Sequence, residues 1–485
     1  NTYSLLSFYF TRKTPNCFQI DYEVHELLGE EDCLYLDIHT TLEESNAPVF
    51  FWIHGGSFNV GSGDNDINEP DSLIERGIVV VTVNYRLGPL GFFSLPGNHI
   101  ERNLGLKDQV EALKWTHEYI EYFGGNPKDV TLAGWSAGGA SVTYHLYSKL
   151  SQGLFHKAIS MSGTHIAPWG FKADTYKCGE YWCDFFNITC SDSYNLEPLQ
   201  RFDITKNIFR RPEVLFFHFS QPYPCFLPTA ENENAKNAFL IEQAHNLTET
   251  ELINDVPLFI GYTNIEELCV DAFPNRYVTI NTTFPYNRED IHEYLEKFVE
   301  ELLANNQKES YLELRRIADT IYSVVSFANT YSKSSKNPTY VYKFSLSRKK
   351  ADKPLYCLMD AEEGAFHGDD IKLLFAPYLQ VLDIYDRNVE KPKNDMADML
   401  ANFIKKSDPT PADSGLPKLP KYDNEKWFVD INEALSIQQF TPSKMFELWS
   451  AVYDCLYFAK CQTLEEMKPT LSKAENQNLN GAPKN

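Results

Sequence analysis

Short apolar runs alternate with stretches of helical period over the first third of the chain. Pro48–Ile53 has no polar position and reads as a strand buried on both faces, ending in His54-Gly55-Gly56. Gly77–Val83 reads the same way and closes on Asn84-Tyr85-Arg86. Between Leu106 and Phe123 the apolar positions, among them Val110, Leu113, Ile120 and Phe123, follow the period of a helix, which Gly124-Gly125-Asn126-Pro127 stops. Val130-Thr131-Leu132-Ala133 predicts a third strand, and Ala137-Gly138-Gly139-Ala140 opens another helix. Strand and helix in alternation predict βαβ units on a mostly parallel sheet, an α/β fold.

Beyond this the pattern loosens. Thr164 to Asp255 is irregular and rich in aromatic residues and cysteine, Met396–Lys406 predicts a late helix, and Asp408–Pro420 a loop. Neither an internal repeat nor a long low-complexity linker interrupts the chain. The expectation is one domain over residues 1–461, followed by a polar, disordered tail over 462–485.

Composition narrows the class. The 43% hydrophobic and 14% aromatic content supplies a sizeable core. A net charge of −23 argues against nucleic acid or an anionic membrane surface as partner, because phosphates would be repelled. The longest apolar runs are strand-sized, well short of the roughly 20 residues that span a bilayer. Ten cysteines exceed what a reduced cytosolic enzyme usually carries and fit a few disulfides. Asn187-Ile188-Thr189, Asn246-Leu247-Thr248 and Asn281-Thr282-Thr283 are glycosylation sequons, so a secreted or secretory-lumen protein is expected. The chain opens on Asn rather than Met, without a basic and then apolar leader, and is expected to be processed or a fragment.

The candidate chemistry lies where strands end. Gly134-Trp135-Ser136-Ala137-Gly138 matches G-x-S-x-G, in which a serine sits on a sharp turn between strand and helix. Small residues two positions either side let neighbouring backbone approach, and the turn lifts the hydroxyl out of the sheet. Consecutive Gly55 and Gly56 let backbone N–H groups face one point, and with the N–H of Ala137 they form a candidate oxyanion hole. His54 reads as support for that loop. A serine nucleophile needs a base and an orienting acid. Of twelve histidines, His367 stands out in the small-residue loop Gly364-Ala365-Phe366-His367-Gly368. Glu266 follows the apolar run Pro257–Ile260 and Gly261, just past a strand end, although the residues alone leave the acid open among several carboxylates. The order Ser136, Glu266, His367 is the Ser…Asp/Glu…His order of α/β-hydrolases.

From about Cys17 to Tyr457 the chain resembles the type-B carboxylesterase and cholinesterase family. The resemblance is carried by Glu31-Asp32-Cys33-Leu34-Tyr35-Leu36, Trp52-Ile53-His54-Gly55-Gly56, Asn84-Tyr85-Arg86-Leu87-Gly88 and Asn103-Leu104-Gly105-Leu106-Lys107-Asp108-Gln109. Phe123-Gly124-Gly125-Asn126-Pro127, Ser136-Ala137-Gly138-Gly139 and His367-Gly368-Asp369-Asp370 complete it. It implies an α/β-hydrolase that cleaves small-molecule carboxylic esters through an acyl-enzyme, with no metal or organic cofactor. Ser136 would be nucleophile, His367 base, Glu266 acid, Gly55, Gly56 and Ala137 the oxyanion donors, and Cys17–Cys33 a disulfide. By the same likeness Cys183 and Cys190 would form a second disulfide, with Cys178 competing for either partner. Cys225, Cys269, Cys357, Cys455 and Cys461 are left without assigned partners.

Several departures matter. The family usually has Glu or Gln before the serine, whereas Trp135 stands here, and the family's acid is usually followed by Gly rather than Glu267. The family's strands ahead of the first cysteine are not recognisable in Asn1–Asn16, so N-terminal strands are expected to be missing. The Cys17–Cys33 loop holds no tryptophan, so the ring face on which cholinesterases bind a quaternary ammonium is missing and a general carboxylesterase is favoured.

Asp64, Asp66, Asn68 and Glu75 match calcium-loop positions, but Glu69 and Pro70 spoil the turn such a loop needs. Cys178, Cys183 and Cys190 lack the His pair that a zinc site would ask for. A catalytically inactive cholinesterase-like adhesion or recognition protein is the main rival from another class, and a neutral-lipid lipase the rival within this one, because one fold hosts all three.

Overall fold

The computed structural model describes residues 14–461 apart from 21–26, 42–44, 64–68, 96–100, 173–174, 186–224, 236, 267–284, 287, 349–363 and 386. Its centre is a nine-stranded sheet: β1 (Leu36–His39), β2 (Ala47–Ile53), β3 (Val79–Val83), β4 (Gly125–Trp135), β5 (Lys157–Met161), β6 (Leu258–Thr263), β7 (Thr339–Phe344), β8 (Trp427–Ile431) and β9 (Leu435–Gln439). The strands lie in the order β9-β8-β7-β6-β5-β4-β2-β3-β1. Only the outermost pairings, β1 with β3 and β8 with β9, are antiparallel; all others are parallel. A small hairpin of Gln19–Ile20 and Leu27–Leu28 stands apart from it.

The all-apolar strands are explained by what covers them. In β2, Val49, Phe51 and Ile53 join one core cluster while Phe50 and Trp52 join another. The period-2 pleat thus feeds two cores at once. On the first face lie α1 (Leu104–Tyr119), through Leu106, Val110 and Leu113, and α2 (Ala137–His145). Also on that face are α3 (Tyr322–Ser334) and, at the end of the described chain, α6 (Lys444–Leu456). On the second face lie α4 (Asp369–Phe375) and α5 (Glu390–Lys406), through Leu373, Leu374, Met399, Leu400 and Phe403. Together these make an α/β-hydrolase.

Two expectations of extent shift. β4 runs over 11 residues, where the sequence pattern marks only Val130–Ala133. Its first half carries Lys128 and Asp129 and is offset from β2 by a register shift between Ala47 and Val49, so no apolar run announces it. The α1 helix gives way at Ile120–Phe123 to a tighter 3₁₀ turn that ends on Gly124 at φ 84°.

The cysteine pairing is also corrected. Cys178 pairs with Cys225, across 47 residues, and so does not compete for Cys183 or Cys190. Cys455 pairs with Cys461, and Cys17 with Cys33. Cys183 is disulfide-bonded as well, while Cys190 lies outside the described residues. Spacing along the chain carries no signal for a pair so far apart, which is why sequence alone misses it. No helix among the described residues is long and apolar enough to cross a membrane.

Candidate active site

The order of strands reverses between β2 and β4: the chain passes from β2 outward to β3, then returns to the other side of β2. In such sheets the crevice beyond the strand ends at this point takes the ligand. β2 delivers His54-Gly55-Gly56 there and β4 delivers Ser136.

Ser136 sits at φ 56°, ψ −120°, a conformation that non-glycine residues rarely adopt. Both ends of the turn are fastened. Its N–H donates to the Met161 carbonyl at 2.8 Å, and its carbonyl accepts from the Ala140 N–H at 2.8 Å. The flanking glycines are required by distance. A Cβ on Gly138 would fall 2.0 Å from the Ile53 carbonyl oxygen, and one on Gly134 would fall 2.5 Å from the Gly138 backbone. The helix therefore starts pressed directly onto the end of β2, with Ala137 wholly buried at its first position.

The glycine loop is braced from beneath. The His54 Nδ1–H donates to the Gly55 carbonyl at 2.7 Å, and the imidazole stacks on Tyr85 with centroids 4.3 Å apart. The Tyr85 hydroxyl donates back to the His54 carbonyl at 3.0 Å. Burial lowers the His54 pKa to about 4, so this ring is neutral at ordinary pH. Gly56 takes φ 105°, open to glycine alone among common residues. Its carbonyl accepts the Asn59 and Val60 N–H groups.

The carboxylate and the imidazole meet on two later loops. Glu266, 1% exposed, lies just past β6 at φ 50°. Its Oε2 accepts from the His367 Nδ1–H at 2.6 Å. Its Oε1 accepts from the Ser162 hydroxyl at 2.7 Å and the Thr263 N–H at 2.6 Å. The backbone ties the two loops as well, because the His367 N–H donates to the Glu266 carbonyl at 3.2 Å. A carboxylate that only accepts fixes the proton of neutral His367 on Nδ1 and makes Nε2 the basic nitrogen.

The two aspartates after His367 are structural. Asp369 is gripped by the Arg348 guanidinium, with Nε at 2.7 Å from Oδ2, and accepts the Phe366 N–H at 2.8 Å. Asp370 accepts the Tyr342 hydroxyl at 2.8 Å. Its carboxyl is pushed up to about 7, chiefly by complete burial and further by the Glu266 charge, against the hydrogen bond from Tyr342. Among the described residues no three His, Cys, Asp or Glu side chains gather as metal ligands.

The structure thus joins Glu266 to His367 by a hydrogen bond, and sets Gly55 and Gly56 beside Ser136 and Ala137 at the adjoining ends of β2 and β4. The Trp135 ring touches His367, and the Gly55 backbone lies against that same ring. Ser162, Arg348 and Tyr342 are the supporting residues that sequence reasoning does not single out; only the position of Ser162 directly after an apolar strand end hints at it. Glu267, Asn187, Asn281, Asp64, Asp66 and Asn68 lie outside the described residues. Asn246 is half-buried in a short helical turn.

The mostly parallel sheet, with Ser136 held at positive φ where the strand order reverses, has the architecture of an α/β-hydrolase. A model of the carboxylesterase family matches residues 7–449, and the chain belongs to that family. It is 29% identical to the pyrethroid hydrolase Ces2a of Mus musculus, over 91% of this chain and 78% of that one. It is 29% identical to venom carboxylesterase-6 of Apis mellifera, over 90% and 81%. Among solved structures, the juvenile hormone esterase from Manduca sexta with OTFP covalently attached superposes with a TM-score of 0.74 at 26% identity, covering 92% of this chain and 89% of that one. All three are named for hydrolysis. The chain is a carboxylic ester hydrolase whose substrates are small-molecule esters.

Proposed function

We propose that the hydrolysis runs by two-step acyl transfer. His367 Nε2 takes the Ser136 hydroxyl proton as Oγ bonds to the ester carbonyl carbon. The carbonyl oxygen becomes an oxyanion received by the N–H groups of Gly55, Gly56 and Ala137. The intermediate collapses with cleavage of the bond to the alcohol, whose oxygen takes the proton from His367. Water then attacks the acyl-Ser136 ester, giving its proton to the same nitrogen, and the acid leaves with Oγ reprotonated. Glu266 keeps the imidazole turned and offsets its positive charge at each crest.

One observation carries this reading: Glu266 holds Nδ1 at 2.6 Å while its other oxygen is saturated by Ser162 and Thr263, so the carboxylate can serve the imidazole in one orientation only. Labelling with a fluorophosphonate probe tests it. Wild type takes the label and Ser136→Ala takes none; a folded wild type that remains unlabelled sinks the reading and leaves the recognition protein on the same fold.

Residues 1–461 act in this reading as one catalytic domain. The disulfides and the Asn187, Asn246 and Asn281 sequons support passage through an oxidising secretory lumen. Expression in insect cells followed by glycosidase treatment checks this: a fall in mass is expected, and an unglycosylated, reduced product retained in the cytosol would contradict it.

A further inference from the structure

Trp135 is the last residue of β4 and the neighbour of the nucleophile. Its ring centroid lies 4.8 Å from that of His367, with the planes inclined by 38°. On two other sides it meets glycine. A Cβ on Gly55 would fall 2.6 Å from the indole Cε3, and one on Gly368 would fall 2.6 Å from Cζ2. The indole is therefore wedged between the oxyanion loop and the loop that bears the base, where neither neighbour carries a side chain. Shape holds it there, because its Nε1–H is buried with no hydrogen-bond partner. An orphan donor costs stability, so the N–H is not what this position uses.

We propose that Trp135 is a positioning residue for His367: its ring face blocks rotation of the imidazole away from Glu266 and places no second charge against it. This rests on the roles proposed above for Ser136, His367 and Glu266. The titratable and charged groups that face the imidazole come from elsewhere: Glu266 through its hydrogen bond, buried Asp370 beyond it, and Asp369 paired with Arg348. Trp135 covers a face of the ring with an uncharged surface. An imidazole hydrogen-bonded at Nδ1 can still swing about its Cβ–Cγ bond. A displacement near 1 Å costs as much as about 100-fold in rate, so a brace on the ring face acts on kcat.

Trp135→Ala, Trp135→Phe and Trp135→Glu test this, read by the rate of fluorophosphonate labelling, by kcat and KM on 4-nitrophenyl acetate, and by the pH profile of kcat/KM. The Ala variant should lose about 10- to 100-fold in kcat and labelling rate with KM within about threefold. The Phe variant, which keeps a ring and drops the orphan N–H, should recover most of that loss. The Glu variant brings a carboxylate to the imidazole, which favours the imidazolium and should move the acidic limb up by about one pH unit. A folded Ala variant as fast as wild type, a Phe variant as slow as a folded Ala variant, or an unmoved limb in the Glu variant overturns the inference. Should the Ala variant not fold, a Phe variant slowed by about tenfold or more overturns it, and the Glu limb decides alongside. Wild type that takes no label overturns the triad reading beneath, and this inference with it.

Discussion

The two halves of the site are held by different physics. The half that carries Ser136, where β2 and β4 end, is fixed by steric exclusion and backbone bonding: a serine at positive φ, glycines with backbone pressed against them, and N–H groups committed to neighbouring carbonyls. The half that carries Glu266 and His367 hangs on charge and side-chain hydrogen bonds, with Ser162, Thr263, Arg348 and Tyr342 holding Glu266, Asp369 and Asp370. Damage to the first half should appear as lost folding. Damage to the second should appear as lost rate or as altered response to pH in a protein that still folds.

The sharpest contrast comes from Glu266→Gln. The side chain keeps its shape but loses the charge and offers an N–H₂ group to its neighbours, so the imidazole tautomer is no longer enforced. We expect kcat to fall about 10⁴-fold, with the melting temperature lowered only modestly; loss below tenfold would remove Glu266 from the role proposed for it.

Gly138→Ala probes the other half. Its Cβ would meet the Ile53 carbonyl at 2.0 Å with helix and strand both unable to retreat, and we expect about 4 kcal/mol of stability to go. A variant that melts like wild type would show the elbow to be more yielding than its contacts require.

The smallest expected effect is the most specific. Asp370 is raised from 3.8 to about 7 in the folded protein, so the native state binds its proton more tightly than the unfolded chain does. That stabilisation is fully present below pH 3.8 and is lost as pH rises through 7. Asp370→Asn should therefore flatten the decline of stability over this interval, gaining about 1–3 kcal/mol on wild type at its upper end. Parallel denaturation curves for the two proteins across that range would show that Asp370 is charged when folded.

The same contrast governs what could be read from the sequence. The elbow, the glycine pair and the two-faced strands are local: their signatures lie in consecutive residues, because turn sterics and the pleat act over a few positions. The half that carries Glu266 and His367 assembles residues 162, 266, 348 and 367 from four loops, and no local pattern records that Ser162 meets Glu266 or that Arg348 meets Asp369. From the residues alone Glu266 is one carboxylate among several; a family likeness, not periodicity, singles it out. The Cys178–Cys225 pair is illegible for the same reason, since a contact across 47 residues leaves no trace in spacing. The start of β4 leaves no signature because its polar residues break the apolar run.

That disulfide has a consequence for how the protein would meet a protease. Any single cut between residues 178 and 225 leaves two polypeptides joined through sulfur, so the molecule would migrate as one species until reduced and then part into two.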